Sequence, residues 1–257
     1  MKMMEKTHRN GIPTVSIFGV PVSKWGMRDT VRYLCEAAES GKPHQIITAN
    51  PIMVMAAVEN PAYKVIMQEA ELIVPDGTGV VWAAQKAGEP LEERVPGIEL
   101  LHELMKEGQS RRWRVYLLGS TKEVIQETAR RLTEQYPGTE IVGSRDGYFG
   151  PDQDHEVIEA IRAVSPHILF VARGADTQEP WIHKHKQALG VPLMMGVGGS
   201  FDVISGKTKR APAAFQKLRL EWLYRLLSEP SRLPRMAALP KFVVRVLREG
   251  ENLKKMS

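Results

Sequence analysis

With 257 residues, of which 43% are hydrophobic and 25% charged, the chain can bury a sizeable core and has the balance of an ordinary globular protein. No stretch approaches the roughly 18 apolar residues needed to span a bilayer, and the polar N-terminus has no apolar signal region behind it, so we expect neither an integral membrane protein nor one secreted by a cleaved signal. The single cysteine, Cys35, excludes an intramolecular disulfide framework and fits a reducing compartment.

Short apolar, β-branched runs alternate along the chain with longer segments of helical periodicity. The predicted strands are residues 14–20, 45–48, 72–74, 114–118, 140–142, 168–172 and 193–197. The predicted helices are residues 24–39, 51–70, 78–87, 97–107, 122–136, 153–164 and 181–189. Strands that are apolar on both faces and separated by helices indicate a largely parallel sheet covered on both sides. We therefore predict an α/β fold with a Rossmann-like, mostly parallel sheet flanked by helices.

The charge of the chain changes sign near residue 206. Residues 1–205 hold 22 Lys and Arg against 26 Asp and Glu, a net of −4, whereas residues 206–257 hold 13 against 4, a net of +9. Residues 211–227 have the pattern of an amphipathic helix, and residues 242–247 form an apolar stretch flanked by cations. We predict an α/β catalytic domain at 1–205 and a basic helical C-terminal appendage at 206–257. Such an appendage meets nucleic acid or acidic lipid, or is a solvated basic face.

The polar segments that follow the predicted strands are the first place to look for a site, because ligands of open α/β sheets bind beyond the carboxyl ends of the strands. These segments are residues 48–51, 75–79, 119–121, 145–148, 173–176 and 196–200. The glycine turn at 196–199 is neither a dinucleotide fingerprint nor a phosphate loop, and its glycines are also explained by a tight turn. Ser200 and Asp202 add a hydroxyl and a carboxylate that could hold the nucleoside of an activated donor.

Asp76 is the best candidate for a catalytic base. It follows an apolar strand and precedes Gly77, which puts a carboxylate at a strand end beside a helix start. Because Asp is also a good helix cap, its placement alone does not separate cap from base. A transferase needs a carboxylate near the acceptor hydroxyl to take its proton. Thr48 and Asn50, at the neighbouring strand end, could hydrogen-bond a sugar.

Arg94 precedes a predicted helix start at Gly97. An arginine there could neutralise a diphosphate leaving group through paired N–H donors, or could form a surface ion pair with Glu92 or Glu93.

A metal site is not predicted. His183 and His185 are two residues apart on a predicted helix and so diverge, and there is no Cys/His cluster. Asp152 and Asp154 begin a polar helix, where capping is the more ordinary role.

Taken in order, these segments resemble the WecG/TagA/CpsF family of bacterial glycosyltransferases from about residue 14 onward. The matching stretches are residues 48–51, 75–79, 94–97, 196–203, 210–212, 220–226 and 229–232. The resemblance implies inverting transfer of N-acetylmannosamine, or a related sugar, from a UDP-sugar to polyprenyl-diphosphate-linked N-acetylglucosamine. It further implies biosynthesis of a surface polymer such as wall teichoic acid, without a metal or other cofactor.

The resemblance also implies roles for individual residues. Asp76 would be the base, and Arg94 would lie near the diphosphate. The substrate-binding residues would be Thr48, Asn50, Gln178, Gly198, Gly199, Ser200 and Asp202, with Arg225, Arg232 and Arg235 of the appendage completing the site.

One segment departs from the family pattern. Where the family shows Gly-Leu-Gly-x-Pro-Lys-Gln-Glu, residues 172–179 of this chain read ARGADTQE. Gln178 and Glu179 are kept, but Thr177 replaces the lysine and Arg173 stands in place of the leucine. The loss of the lysine removes a positive charge that Arg173 could restore, so altered donor choice or reduced activity is a consequence to test.

Two other classes of protein are alternatives to the glycosyltransferase. An oxidoreductase, or another nucleotide-dependent α/β enzyme, lacks its dinucleotide fingerprint here. A nucleic-acid binder would use the basic appendage, but the apolar residues of that segment recur at helical spacing and suit packing or lipid better than base stacking. We therefore expect a UDP-sugar, a polyprenyl-diphosphate-linked N-acetylglucosamine and an anionic membrane surface as partners, and a cytoplasmic protein peripherally attached to the inner face of the cell membrane. The α/β domain leaves room for a homo-oligomer, and the exact donor sugar and polymer stay open.

Overall fold

The computed structural model describes residues 8–9, 11–209, 211–212, 215, 221–228 and 233–255, and for a few of these, Arg225 and Arg235 among them, only the backbone. The strands are β1 (His8–Arg9), β2 (Ile12–Ile17), β3 (Val20–Ser23), β4 (His44–Ala49), β5 (Leu72–Pro75), β6 (Arg114–Gly119), β7 (Glu140–Arg145), β8 (Ile168–Ala172) and β9 (Leu193–Gly196). The helices are α1 (Met27–Glu39), α2 (Pro51–Glu59), α3 (Pro61–Glu69), α4 (Thr78–Lys86), α5 (Gly97–Arg111), α6 (Lys122–Gln135), α7 (Asp154–Ala163), α8 (Ala175–Leu189), α9 (Ser200–Ile204), α10 (Glu221–Ser228), α11 (Leu233–Met236) and α12 (Ala238–Glu249). Two 3-10 helices lie at Pro151–Gln153 and Gly250–Lys255.

Six strands form the main sheet, in the order β5-β4-β9-β8-β6-β7, and each neighbouring pair is parallel. Consecutive residues of a strand point to opposite faces, so Ile46 and Phe170 enter a core with α1, α5 and α6, whereas Ile47 and Val171 enter clusters with α2, α3, α4, α7 and α8. Both faces of the sheet are thus covered by helices. The predicted Rossmann-like α/β fold is confirmed.

The prediction of one strand over residues 14–20 was wrong. These residues belong to a hairpin, β2 and β3, in a separate antiparallel sheet of order β1-β2-β3. The turn residues Phe18 and Gly19 have φ of 52° and 84°, the double positive φ of a two-residue hairpin turn. Because only one of the two turn residues is a glycine, residues 14–20 have the pattern of one continuous apolar strand.

The prediction of one helix over residues 51–70 was also wrong, because the chain breaks between α2 and α3 at Asn60 and Pro61. Proline cannot continue a hydrogen-bonded helix and restricts the residue before it to extended backbone, and Asn60 has φ −127° and ψ 104°. The Asn60 side chain then caps α3 by accepting from the N–H groups of Ala62 and Tyr63.

Three other predicted helix boundaries moved. α8 begins at Ala175, six residues before the predicted start, and contains Pro180, which sequence rules place at a boundary. α5 continues to Arg111, and α1 begins only at Met27. In the last case the helix start depends on residues distant in sequence, since Glu92 accepts from the Gly26 N–H and Glu93 from the Met27 N–H.

The described part of the appendage is helical and adds no strand to the sheet; of residues 211–227, only 211–212, 215 and 221–227 are described. α12 packs on the α/β domain through Phe242 and Val246, which are buried in the cluster formed with α2 and α4. The Phe242 ring meets Phe18 edge-on at 5.9 Å, and the Arg245 guanidinium lies 5.2 Å from the Phe18 ring centroid. None of the described helices is long and apolar enough to cross a bilayer.

Candidate active site

A cavity of about 940 Å³ opens at the carboxyl ends of the parallel strands. Each of the six polar segments that follow the predicted strands contributes to its lining, so the predicted convergence is what the structure shows. The appendage contributes too, through α10, α11 and α12. Residues that lie in the lining from these three helices are Glu221, Trp222, Met236, Leu239, Phe242 and Val243.

Asp76 lines this cavity at the end of β5 and is partly buried. Its Oδ1 accepts a hydrogen bond of 3.1 Å from the N–H of Gly97, the first residue of α5. Helix α4, which Asp76 directly precedes, has Gly77 at its N-cap and no side-chain cap. Asp76 therefore does cap a helix, but that helix is α5, which begins 21 residues further along the chain, and not α4. This bond orients the carboxylate beside the cavity.

Three glycines allow the close packing that brings this region together. A Cβ on Gly77 would lie 2.6 Å from Cδ of Pro51, and one on Gly79 would lie 2.6 Å from Cγ of the same ring. A Cβ on Gly97 would lie 3.0 Å from Cγ2 of Thr48. The starts of α2, α4 and α5 consequently meet at the end of β4 and β5, which places Asp76 near the groups predicted to hold the sugar.

Thr48 and Asn50 both line the cavity, and both also make bonds within the protein. The Thr48 hydroxyl, which is buried, donates to the Gly196 carbonyl at 3.2 Å. Asn50 caps α2, its Oδ1 accepting from Ile52 and Met53 N–H groups at 3.0 and 3.1 Å. Since these bonds use the amide oxygen of Asn50, its NH₂ group is the part suited to meet a sugar hydroxyl.

Arg94 lines the cavity and forms an ion pair with Glu221 of α10, with Nη1 2.8 Å from Oε2. The alternative pairing with Glu92 or Glu93 was wrong, because those carboxylates accept backbone N–H groups at the start of α1. Both side chains of the pair are about a quarter exposed, with values of 26% and 25%. Arg94 would have to exchange Glu221 for a phosphate in order to act on a leaving group.

Asp202 faces the end of β6. Its Oδ1 lies 3.3 Å from the Ser120 hydroxyl, which donates to it, and 3.5 Å from Lys207 Nζ. Ser120 has a positive φ of 57°, and Gly119 before it has φ 125° and would place a Cβ 2.2 Å from the Ala172 carbonyl oxygen. This tight turn brings the Ser120 hydroxyl into the cavity lining. Sequence reasoning included Ser120 only as part of a polar segment; the neighbouring Gly119 is the signal that could have singled it out.

The glycine turn after β9 also lies in the lining, through Gly198, Gly199 and Ser200. Gly198 has φ +48°, so the turn itself explains that glycine. The Ser200 hydroxyl donates to the Val197 carbonyl at 2.8 Å, which uses its proton within the turn.

Gln178 connects two loops at the sheet edge. Its Oε1 accepts from the backbone N–H groups of Arg173 and Gly198, at 3.3 and 3.2 Å, and its Nε2 donates to Glu179 at 2.9 Å. Glu179 is fully buried and also accepts from the Gln45 amide at 3.0 Å. Burial raises the pKa of the Glu179 carboxyl to about 7, against the opposing effect of the two amide donors. Sequence reasoning noted Glu179 only as a kept residue of the family pattern, and it gave no role to Gln45.

Three predicted site residues belong to the appendage. Arg232 lies outside the described residues, as do the side chains of Arg225 and Arg235, so their contribution to the site stays a prediction.

The described residues also bear on metal binding. Among the described residues, no group of three or more His, Cys, Asp or Glu side chains could hold a metal ion. The expected capping role of Asp154 was wrong, because α7 has no side-chain cap. The Asp154 carboxylate instead accepts a hydrogen bond from Trp181 Nε1 at 2.8 Å and lies 3.0 Å from His185 Nε2.

The fold and the cavity define the class of the protein as an α/β enzyme with its site at the carboxyl ends of a parallel sheet. The chain belongs to the glycosyl transferase WecG/TagA/CpsF family, whose model matches residues 15–256. The resemblance seen in its motifs is thereby confirmed, and the oxidoreductase and nucleic-acid alternatives are set aside.

Two similar proteins carry the name N-acetylglucosaminyldiphosphoundecaprenol N-acetyl-beta-D-mannosaminyltransferase. The protein of Bacillus spizizenii is 43% identical over 203 residues, which is 79% of this chain and 78% of the relative. The protein of Staphylococcus aureus strain MW2 is 35% identical over 254 residues, 98% of this chain and 99% of the relative.

Proposed function

We propose that the protein transfers N-acetylmannosamine from a UDP-sugar to N-acetylglucosamine carried on a polyprenyl diphosphate, in the biosynthesis of a wall teichoic acid-type polymer. The names of the two relatives support the sugar and the acceptor. The observation that carries the proposal is Asp76, whose carboxylate lines the cavity between Thr48, Asn50 and the first turn of α5. A carboxylate beside sugar-binding groups is what removal of a proton from an acceptor hydroxyl requires.

In the proposed reaction, the C4 hydroxyl of the acceptor attacks the anomeric carbon of the donor from the face opposite the diphosphate. The new C–O bond forms as the bond from that carbon to the diphosphate oxygen breaks, so the configuration inverts. Asp76 takes the hydroxyl proton, and UDP leaves with the bonding electron pair. The Gly97 N–H, bonded to one carboxylate oxygen, keeps Asp76 in a fixed orientation during this step.

Arginine side chains would offset the charge that grows on the leaving diphosphate. Arg94 lines the cavity and would take this role by leaving Glu221 when the donor binds. Arg225, Arg232 and Arg235 are the further arginines proposed for the same purpose. In this scheme the reaction needs no metal ion, and full activity in the presence of EDTA is the expected result.

The nucleoside part of the donor would bind near Asp202 and the glycine turn at Gly198 and Gly199. Tyr148 also lines this cavity and is 78% exposed, so its ring offers a flat surface on which a base can stack. These groups follow strands β9 and β7 at the carboxyl end of the sheet, whereas Asp76 follows β5 at the opposite side of the sheet. A donor bound across the edge would therefore present its sugar towards Asp76.

We also propose that the protein attaches peripherally to the inner face of the cell membrane through α12. On this helix the buried stripe contains Phe242 and Val246, and the exposed stripe contains Val244 and Leu247, 51% and 62% exposed. Basic side chains recur along the remaining arc, at positions 241, 245 and 248. An exposed apolar stripe beside a basic one suits an anionic bilayer surface.

The experiment that tests the proposed function is an assay of the full chain with a soluble lipid-diphosphate-linked N-acetylglucosamine and a panel of UDP-sugars. The mass of the product identifies the sugar transferred. We expect one N-acetylhexosamine to be added from UDP-N-acetylmannosamine. Turnover of none of the UDP-sugars, with the protein folded, would contradict the proposal.

A further inference from the structure

Arg173 is a cation of the active-site cavity that the family pattern does not account for. The residue lines the cavity and is half-buried. Its guanidinium lies 4.3 Å from the ring centroid of Phe149, and its Nη2 donates to the Phe149 carbonyl at 3.3 Å. Stacking and this single bond fix the plane of the group while leaving its other N–H donors without a hydrogen bond to the described part of the chain.

The other described cations of the cavity lining are already paired. Arg94 is 2.8 Å from Glu221, and Lys207 is 3.5 Å from Asp202. No described carboxylate lies within ion-pair distance of the Arg173 guanidinium. Burial away from water lowers the pKa of the Arg173 guanidinium, so its charge is partly desolvated. Asp154 acts on this charge electrostatically, but its carboxylate is engaged with Trp181 and His185. Such a charge gains from an anionic ligand.

The backbone places Arg173 next to the glycine turn. One atom, Oε1 of Gln178, accepts hydrogen bonds from the N–H of Arg173 and from the N–H of Gly198. The two residues are therefore held side by side at the adjacent ends of β8 and β9. Thr177, by contrast, uses its hydroxyl to donate to the Gly174 carbonyl at 2.9 Å.

From this geometry we propose that Arg173 binds a substrate diphosphate, with Phe149 holding its guanidinium in place. The inference rests on the proposed function, which supplies two diphosphates, one in the UDP-sugar and one in the lipid acceptor. A planar guanidinium with free N–H groups matches phosphate oxygens by paired hydrogen bonds. The experiment separates the two sources.

The test compares the full-length wild type with Arg173→Gln and Arg173→Lys. Affinities for UDP, UMP and uridine are measured by calorimetry or ligand-observed NMR, and KM is measured for the UDP-sugar and for the soluble lipid-diphosphate acceptor. If the donor diphosphate is the ligand, Arg173→Gln weakens UDP binding at least about ten-fold, the effect of losing one charge-assisted hydrogen bond, and leaves uridine binding unchanged. Arg173→Lys should lie between, since it keeps the charge but not the fork. If the acceptor diphosphate is the ligand, the acceptor KM rises instead and UDP affinity is kept.

Arg145→Gln is the matched control. Its guanidinium lies 5.7 Å from the same Phe149 ring, but it pairs with Glu156 at 2.7 Å and Arg145 is absent from the cavity lining. This variant loses the same charge and should keep UDP affinity and both KM values. Because it also contacts Phe149, it reports any effect that comes from disturbing the ring alone.

Unchanged UDP affinity and unchanged KM values in Arg173→Gln would overturn the inference. A parallel loss of UDP and uridine binding with a lower melting temperature would also overturn it, because a residue that only supports Phe149 gives that result. If Arg173→Gln does not fold, Arg173→Lys decides by the same comparison. A folded wild type that neither binds UDP nor transfers a sugar would contradict the proposed function, and the Arg173 inference with it; the wild-type arm alone distinguishes this failure.

Discussion

The Arg94 guanidinium and the Glu221 carboxylate join the α/β domain to the C-terminal appendage, with Nη1 2.8 Å from Oε2 beside the cavity. The two residues are 127 positions apart in the chain. Since both side chains also line the cavity, the pair either only holds α10 in place or keeps Arg94 ready for the substrate.

Substitution of each partner separates these roles. We expect Arg94→Gln to lower kcat by about 100-fold, the loss typical of one group that stabilises transition-state charge, and Glu221→Gln to change kcat by less than about ten-fold. Steady-state kinetics with the lipid-diphosphate acceptor measure both. Equal losses in the two variants would instead assign Arg94 the structural role of holding α10.

Asp76→Asn should abolish transfer while the fold is kept. The Asn oxygen can still accept the Gly97 N–H, so the start of α5 remains capped, but the amide cannot take a proton. Product formation and the melting temperature are the two measurements. Asp146→Asn is the control, because Asp146 follows β7, accepts the Tyr148 N–H at 3.0 Å and does not line the cavity. Near-normal turnover in Asp76→Asn would remove Asp76 from the mechanism.

Glu179 should make the free energy of unfolding depend on pH. Its pKa is raised from 4.5 to about 7 by burial, so between these values the folded protein binds a proton that the unfolded chain has lost. Stability therefore falls as the pH rises from about 4.5 to 7, by up to about 3 kcal/mol in total, and is level above 7. Gln45 Oε1 is buried without a partner among the described residues. If the Gln45 amide flips, this oxygen can accept a hydrogen bond from the protonated Glu179 carboxyl.

Glu179→Gln should remove this dependence. In urea unfolding, the stability of the variant relative to wild type is expected to be higher at pH 8 than at pH 5.5 by about 2 kcal/mol. Glu140→Gln, at an exposed position of β7, shows what the removal of a surface carboxylate does under the same conditions. A difference of the same size at both pH values in Glu179→Gln would refute the prediction.

Membrane attachment should depend on the exposed stripe of α12. The double variant Val244→Glu and Leu247→Glu places two carboxylates on that stripe, and we expect it to lose flotation with liposomes that contain acidic lipid. Val65→Glu is the control, since Val65 is 47% exposed on α3, outside the appendage. Transfer to a soluble acceptor should be kept by both. Equal flotation of the double variant and the wild type would exclude this face as the lipid contact.

Much of this protein can be predicted from local sequence. The alternation of apolar runs with helical periodicity determines a parallel sheet covered on both faces, and polar residues that follow such strands must meet at one edge. Asp76, Thr48 and Asn50 were predicted as site residues in this way, since the end of a strand can be located from local sequence. The ordered motifs around them also identified the family. The hairpin at Phe18 and Gly19 escaped the same reasoning, since a short apolar run has no period that separates one strand from two.

The contacts between distant residues were decided by the tertiary structure alone. That Asp76 caps α5, that Arg94 pairs with Glu221, and that Gln178 joins the Arg173 and Gly198 loops all depend on the strand order β5-β4-β9-β8-β6-β7. Chain order does not determine that arrangement, in which β9 lies between β4 and β8. The sequence by itself determined which chemical groups lie at the sheet edge. Packing of the whole chain decided which of them are engaged within the protein, and it left the Arg173 guanidinium without a described carboxylate partner.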